Sequence, residues 1–200
     1  MNTDIDVLCG AIRKQLSPKR WAHTLGCAET ARRLAAMLDA NPDKAYLAGM
    51  LHDITREKTL SEQLIICSEY DIIIREYERD STALLHAVTG AAVAKAEYDA
   101  DDEICTAIAC HTTGRVGMTP LDMALCLADY IEPTRDFPGV EALRKQAETD
   151  PALALLRAFD GTITHIISKN GMLHPDTVTA RNDLLKRLHL GDLSDRNRTY

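Results

Sequence analysis

The hydrophobic positions of this chain recur mainly at intervals of three and four residues. This spacing predicts amphipathic α-helices, and the strict alternation of a half-buried strand is missing. In the first such segment, residues 4–16, Ile5, Leu8, Ile12 and Leu16 fall on one side. Similar segments follow one another to about residue 188. The pattern predicts an all-α fold of about ten helices.

Cap residues and prolines indicate where several of these helices begin. Asn41, Thr119 and Asp150 each precede a proline, which is typical of an N-cap followed by the first helical position. Thr59 and Glu62 have the spacing of a capping box. The isoleucine triplet at residues 72–74 has strand character, but no second strand is predicted to pair with it. We therefore expect that segment to be helical or irregular.

The composition predicts one compact domain in a reducing compartment. The chain has 200 residues, 46% of them hydrophobic, which is enough for a substantial core. No stretch approaches the roughly 20 apolar residues of a membrane span, and the start, MNTDIDVLCG, lacks a basic leader. The six cysteines are scattered without a CxxC pair, as expected for reduced, buried thiols. We therefore predict a cytoplasmic protein without a membrane partner.

The charge and the aromatic content argue against nucleic acid as a partner. The net charge is −7, whereas bulk nucleic-acid binding relies on a positive face. Aromatic residues make up only 4% of the chain, too few for a base-stacking platform. A small anionic ligand stays compatible with this balance, because a local group of Arg and Lys residues can form a site.

Candidate chemistry begins with the adjacent pair His52 and Asp53, at the predicted end of the third helix. Neighbouring imidazole and carboxylate groups can bind one cation, although a solvated helix end has the same sequence. Asp129 is the sharpest single clue, because it lies in the apolar stretch 125–131. An ionised carboxylate there is costly unless it is paired or bound to metal. A salt bridge to Arg135 would also satisfy it.

The remaining histidines extend this set. His23, His52, Asp53 and Asp129 offer nitrogen and oxygen donors that suit iron, manganese, zinc or cobalt, with positions left open for water and substrate. His86 and His111 are each readily explained as core histidines when taken alone. Together with the other four residues, they are expected to line the same cavity. There they would bind a second metal or donate to phosphate oxygens, so one or two ions per chain stay open.

The order of these residues resembles that of the HD-domain metal-dependent phosphohydrolases. Longer stretches narrow the resemblance to the YqeK-type symmetrical bis(5′-nucleosyl)-tetraphosphatases of bacteria. They are RWAHTLGCAETA, AGMLHDITREK, HTTGRVGMTPLDMALCLADYIEPTRDFPGV and HPDTVTARN. The resemblance covers about Arg20 to Leu188, and nothing carries over to the tail.

The resemblance implies a single HD-domain protein over residues 1–200. Its core would be about residues 20–131, and C-terminal helices at 138–189 would help to close a nucleotide site. A metal, typically iron with manganese or cobalt as alternatives, would be held by His23, His52, Asp53 and Asp129. The implied reaction is symmetrical hydrolysis of diadenosine tetraphosphate to two ADP, through attack of metal-bound hydroxide on an inner phosphate.

Further roles follow from the same resemblance. Asp53, His86 and His111 would be catalytic, with Asp53 orienting the water as well as binding metal. Nucleotide contacts are expected at Arg20, Asp53, Ile54, Thr55, Arg56, His86, His111, Arg135, Asn170, Gly171, Met172, Leu173, His174 and Pro175.

Three other functions use the same ligands. The first is an HD phosphohydrolase acting on a nucleoside monophosphate or a guanosine alarmone. The second is a mixed-valent di-iron oxygenase on the same fold, and the third is a nucleotide sensor without turnover. A homodimer is compatible with a chain of this size, but no surface pattern predicts one.

Overall fold

A computed structural model of the protein describes residues 5–188, and this range contains ten α-helices and no strand. The predicted all-α fold is therefore confirmed. The predicted end of the C-terminal helices at residue 189 and the tail lie outside the described residues. The helices are α1 Ile5–Gln15, α2 Pro18–Met37, α3 Pro42–Leu51, α4 Leu60–Glu69, α5 Thr82–Tyr98, α6 Asp102–Cys110, α7 Pro120–Ile131, α8 Val140–Ala147, α9 Pro151–Ser168 and α10 Pro175–Arg187.

Local sequence signals account for most of these boundaries. The Asn41 side chain accepts from the backbone N–H groups of residues 43 and 44, as its predicted N-cap role requires. Thr59 and Glu62 form the predicted capping box of α4, and Thr119 begins α7 in the same way. The isoleucine triplet at 72–74 lies in an irregular connection between α4 and α5.

Helices α2 and α3 approach each other more closely than most pairs of helices in the fold. A Cβ atom added to Gly49 would lie 2.5 Å from the Cα of Ala28, so the two backbones touch. His52 is one residue beyond the end of α3, and His23 is in α2. The glycine at position 49 thus lets the two helices bring these imidazoles together.

Helix α5 is tied to the segment after α3. A Cβ atom on Gly90 would lie 3.2 Å from the carbonyl oxygen of His52, so this crossing is also close. The hydroxyl of Thr55 donates to the carbonyl oxygen of His86 at 3.0 Å. Both contacts hold α5 next to the segment that contains His52 and Asp53.

Helices α8 and α9 pack against α7, and together they form one side of a groove. Arg144 of α8 donates to the carbonyl oxygens of Ile131, Glu132 and Arg135, so it fixes the turn after α7. Tyr130 of α7 and Thr162 of α9 share a hydroxyl–hydroxyl hydrogen bond of 2.9 Å. A groove is left between these helices and the inner ends of α2, α3, α5 and α6.

The six cysteines lie within the described range and are all free thiols, four of them buried. Burial raises the pKa of Cys110 to about 12, so this thiol stays protonated. Of the helices between residues 5 and 188, none is both long and apolar enough to span a membrane.

Candidate metal and nucleotide site

Five helices bring the six predicted donors to one place. His23 lies in α2, His52 and Asp53 follow α3, His86 lies in α5, His111 follows α6 and Asp129 lies in α7. All are buried except Asp129, whose side chain is 21% exposed. The donor group is thus enclosed on most sides and is reached past Asp129.

The first part of the group joins His23, His52, Asp53 and Asp129. Nε2 of His23 is 3.0 Å from Oδ1 of Asp129 and 3.3 Å from Oδ2 of Asp53. Nε2 of His52 is 3.3 Å from the same Asp53 oxygen and 3.4 Å from Nε2 of His23. Ligands that bind one metal about 2.1 Å away at right angles are themselves about 3.0 Å apart. The observed separations are close to that value.

The second part of the group uses the other oxygen of Asp53. Oδ1 of Asp53 is 3.2 Å from Nε2 of His86, and that nitrogen is 3.1 Å from Nε2 of His111. Single donor atoms of His52, Asp53 and His111 lie within 4.8 Å of one another, as do those of His23, His52 and Asp129. The carboxylate of Asp53 therefore lies between two groups of donors.

In each of the four histidine rings, the hydrogen bond made by Nδ1 leaves Nε2 facing the other donors. Nδ1 of His52 and Nδ1 of His111 are each 2.7 Å from a backbone carbonyl oxygen, and Nδ1 of His86 is 3.3 Å from another. Nδ1 of His23 is 3.0 Å from Oε1 of Glu132. Carbonyl and carboxylate oxygens only accept, so each Nδ1 carries the hydrogen. In the neutral rings every Nε2 then presents a lone pair to the centre.

This tautomer pattern makes a cation the natural occupant. Two neutral imidazoles that both carry hydrogen on Nδ1 cannot donate to each other, yet Nε2 of His86 and Nε2 of His111 face each other at 3.1 Å. A metal ion would bind both lone pairs, and the mixed nitrogen and oxygen donors suit iron, manganese, cobalt or zinc.

The pKa values show how strongly the two carboxylates attract positive charge. Burial alone would lower the pKa of His23, but hydrogen bonds to Asp129 and Asp53 outweigh it and raise the pKa to about 9. Burial would raise the pKa of Asp53, but the nearby His52 charge holds that pKa well below its usual range. Burial next to two other histidines lowers the pKa of His111 to about 3. The site thus combines ionised carboxylates with a neutral imidazole.

Arginines surround the donor group. An η nitrogen of Arg20 is 2.6 Å from Oδ2 of Asp53. Arg135 donates to the carbonyl oxygen of Asp129 at 2.6 Å and also pairs with its carboxylate. The salt bridge considered as the alternative role of Asp129 is therefore present, but the same carboxylate also contacts His23. Arg56 lines the adjoining cavity, and within residues 5–188 it forms no salt bridge.

A cavity of about 860 Å³ opens from the donors toward α8 and α9. Its inner end includes Asp53 and Asp129 with Arg20 and Arg135, which contact these carboxylates, and Arg56 also lines the cavity. Its outer part is lined by side chains from the turn after α7 and from the two C-terminal helices that face it. They include Phe137, Leu143, Arg157, Gly161, Thr162 and His165. The volume is in the range of pockets that bind small molecules and cofactors.

Some predicted nucleotide contacts are not brought to this cavity. Ile54 and Thr55 are buried beside α5, and the predicted loop at 170–175 does not line the cavity either. His174 instead caps α10, where its Nδ1 accepts from the N–H of Asp176, and its Nε2 is 3.3 Å from a carboxylate oxygen of Glu78. Side chains of α8 and α9 line the cavity where the 170–175 loop was expected.

Glu132 is a site residue that the sequence analysis missed. It is completely buried, although it is charged and follows an apolar helix. It lies one turn after Asp129, so it belongs to the same stretch, LADYIEPTR, that carries the resemblance. An acidic residue directly before a proline at a helix end was the available signal.

Three comparisons with known proteins agree with the fold. Residues 20–134 match the HD domain family. A Halalkalibacterium halodurans relative named bis(5′-nucleosyl)-tetraphosphatase, symmetrical, is 39% identical over 179 residues, which cover 87% of this chain and 93% of the relative. A Bacillus subtilis protein of the same name is 37% identical over 188 residues, covering 92% and 98%. The crystal structure of an HD superfamily hydrolase from Clostridium acetobutylicum, described as involved in NAD metabolism, superposes with a TM-score of 0.87 at 37% identity, covering 92% of this chain and 98% of that one.

Proposed function

The chain belongs to the HD domain family, and we propose that it is a metal-dependent hydrolase that cleaves diadenosine tetraphosphate symmetrically into two ADP. The observation that carries this proposal is the position of six inward-facing donors at the closed end of an arginine-lined cavity. The relatives from Halalkalibacterium halodurans and Bacillus subtilis, which align with most of this chain, support the choice of substrate.

The metal would occupy two neighbouring positions that share Asp53. His23, His52 and Asp129 would complete the first position with one Asp53 oxygen, and His86 and His111 the second position with the other. We propose iron as the ion, with manganese and cobalt as alternatives that the same donors accept. When bound, such an ion lowers the pKa of water, so that a nucleophile is available at neutral pH, and offsets phosphate charge.

His86 and His111 had two alternative roles, as donors to phosphate or as ligands of a second metal. Their Nδ1–H groups are already donated to backbone carbonyl oxygens. Their Nε2 atoms therefore present lone pairs, which supports the ligand role, and both residues would then lie next to the reacting atoms. Asp53 would bind both ions and keep the attacking water oriented.

The arginines would hold the polyphosphate chain. Arg20 and Arg135 already approach the donor group through Asp53 and Asp129, and Arg56 lines the same cavity. Their planar groups can donate pairs of hydrogen bonds to phosphate oxygens. The phosphates next to the central bridging oxygen would then lie against Asp53, where the nucleophile is oriented.

One nucleoside diphosphate half would lie in the outer part of the cavity. Phe137 and Leu143 offer apolar surface for a base, and Thr162 and His165 offer polar groups. The C-terminal helices would thus close the nucleotide site, and the second half would project toward solvent through the opening. Because both products are ADP, only one half needs to be held firmly. The free thiols favour the reducing cytoplasm as the location.

The test is product analysis with the protein reconstituted with iron, manganese or cobalt. Chromatography should show diadenosine tetraphosphate disappearing with two ADP formed for each molecule consumed. Formation of AMP and ATP would contradict the symmetrical assignment. Turnover of nucleoside monophosphates or guanosine alarmones without cleavage of the dinucleotide would favour the alternative phosphohydrolases. Oxygen uptake on adding a polyol or phosphonate, without cleavage of a phosphate bond, would favour an oxygenase. Tight nucleotide binding without turnover would favour a sensor.

A further inference from the structure

Glu132 is a buried carboxylate that is not one of the inward-facing donors. It is the first residue after α7 and is completely buried, and its carboxylate contacts the donor group through His23. Its Oε1 lies 3.0 Å from Nδ1 of His23, the ring nitrogen that points away from Asp53 and Asp129. Its position behind one ligand suggests that it acts through that ligand.

The carboxylate is held firmly by its own surroundings. The Thr134 hydroxyl donates to Oε1 at 2.5 Å, and the Thr134 N–H donates to Oε2 at 2.7 Å. The backbone carbonyl of Glu132 accepts from Arg135 and Arg144 at 3.0 and 2.7 Å. The charge of Glu132 is thus supported by three donors to its side chain, including His23, and its direction is fixed.

Helix α2 leaves room for this carboxylate. Gly26 is three residues after His23 and therefore lies on the same face of α2. A Cβ atom added there would lie 2.6 Å from Oε2 of Glu132 and 3.3 Å from Pro133. Any larger residue would have to displace the carboxylate, so a glycine in the middle of α2 is explained by the pair of Glu132 and His23.

His23 differs from the other three histidines in the charge of its partner. The Nδ1–H groups of His52, His86 and His111 meet neutral carbonyl oxygens, whereas that of His23 meets an anion. A carboxylate behind an imidazole fixes its tautomer and ring orientation and makes the opposite nitrogen a stronger ligand.

We propose that Glu132 is a positioning residue for the metal site, acting through His23, with Gly26 and Thr134 holding it in place. This inference rests on the proposed metal-dependent function. The carboxylate keeps hydrogen on Nδ1 and directs the Nε2 lone pair at the first metal position. Its loss would weaken metal binding even in a chain that is fully folded.

The first experiment measures the dissociation constants of Mn²⁺ and Co²⁺ by chelator competition, at a temperature well below the melting point of each metal-free variant. Glu132→Gln keeps the volume but removes the charge, so we expect about 10–100-fold weaker binding and a changed visible spectrum of bound Co²⁺. Glu148→Gln is the matched control, because Glu148 is exposed and far along the chain from the donors. It should bind metal like the unaltered protein.

A second pair of variants keeps the proposal testable if Glu132→Gln does not fold. Gly26→Ala leaves every ligand and Glu132 itself unchanged and favours helix α2 by propensity, yet its methyl group must displace the carboxylate. It should also weaken metal binding. Gly10→Ala in α1 is the control, since a Cβ atom there meets no atom within 4 Å.

The possible outcomes separate this inference from the proposed function. If the unaltered protein binds no metal, the proposed metal-dependent function fails. If it binds metal and both Glu132→Gln and Gly26→Ala bind within about twofold of it, Glu132 is only a structural residue and the positioning role is overturned. A purely structural role would lower the melting temperature of the metal-free variants and leave their dissociation constants unchanged.

Discussion

Nε2 of His86 and Nε2 of His111 lie 3.1 Å apart, while each ring turns its Nδ1 toward a backbone carbonyl oxygen. Neither ring can donate to the other in its neutral form, so the contact is repulsive without a shared cation. The relationship connects α5 to the end of α6, so the proposed second metal position would depend on packing between these two segments.

The contact between His86 and His111 predicts how many metal ions each chain binds. His111→Ala should reduce the metal content from two ions per chain to one, because the position that uses His23 and Asp129 keeps its ligands. Inductively coupled plasma mass spectrometry on freshly purified protein measures the content directly. His165→Ala is the matched histidine control, since His165 lines the outer cavity and should leave the metal content unchanged. An unchanged content in His111→Ala would make His111 a core residue only.

The double role of Asp129 predicts a contrast between two substitutions. Asp129→Asn removes the negative charge that faces His23 and Arg135, so the ion at the proposed first position and the hydrolysis should be lost together. Arg135→Gln removes the ion pair but no metal ligand. It should keep the metal and raise KM for the dinucleotide about tenfold or more, because a paired phosphate contact is lost.

Metal analysis and steady-state kinetics on the two variants decide between the roles of this carboxylate. Full metal content and full rate in Asp129→Asn would leave Asp129 with an ion-pair role alone. Arg33→Ala is the control for loss of positive charge, since Arg33 is an exposed residue of α2 and does not line the cavity.

The helices and the donors could be predicted because their signals are local in the sequence. Helical spacing and cap residues predicted the helices, and Asp129 was detectable because a carboxylate interrupts an apolar helix. The histidines were predicted to form one group with Asp53 and Asp129, and the order of these residues then indicated the HD family. The close approach of α2 and α3 at Gly49, which makes that group physically possible, has no comparable local signal.

The residues that line the cavity were harder to predict because they depend on how distant helices pack. The loop containing His174 was expected at the nucleotide. The His174 side chain instead contacts the Glu78 carboxylate and caps the first turn of α10. Residues such as Arg157 and His165 look like ordinary positions of an amphipathic helix and reach the cavity only because α9 lies across α7. Glu132 was missed for the same reason, since only the folded chain brings it to His23.

The outer cavity predicts a substitution that separates nucleotide binding from metal binding. Gly161 lines the cavity in α9, and a Cβ atom there meets no atom within 4 Å. Gly161→Leu should extend a side chain into the space proposed for one nucleoside, raising KM and weakening ADP binding about tenfold, with the metal content unchanged. Gly161→Ala should have a much smaller effect because its methyl group is short.

Calorimetric titration with ADP and metal analysis of the same samples test this prediction. An unchanged ADP affinity in Gly161→Leu would place the nucleoside outside the wall formed by α8 and α9. A parallel loss of metal would mean that the leucine disturbs the donor group itself, which the position of Gly161 in the outer cavity does not predict.

Two glycines after α6 allow packing to be separated from backbone strain. Gly114 and Gly117 both have φ of +68°, a conformation that costs an L-residue roughly 1–2 kcal/mol. A Cβ atom on Gly114 would lie 2.7 Å from the ring of Phe159 and 2.8 Å from Ala180, whereas one on Gly117 meets nothing within 4 Å. Gly117→Ala should therefore lower the unfolding free energy by the strain alone. Gly114→Ala should add an overpacking cost of about 1–3 kcal/mol.

Urea unfolding of the metal-free proteins measures the difference between the two variants, provided that the transitions are two-state. The additional loss in Gly114→Ala would show that α9 and α10 are packed firmly on the turn after His111, since Phe159 belongs to α9 and Ala180 to α10. Equal losses in the two variants would mean that these helices can move away from the turn. The wall of the proposed nucleotide cavity that α9 provides would then be adjustable rather than fixed.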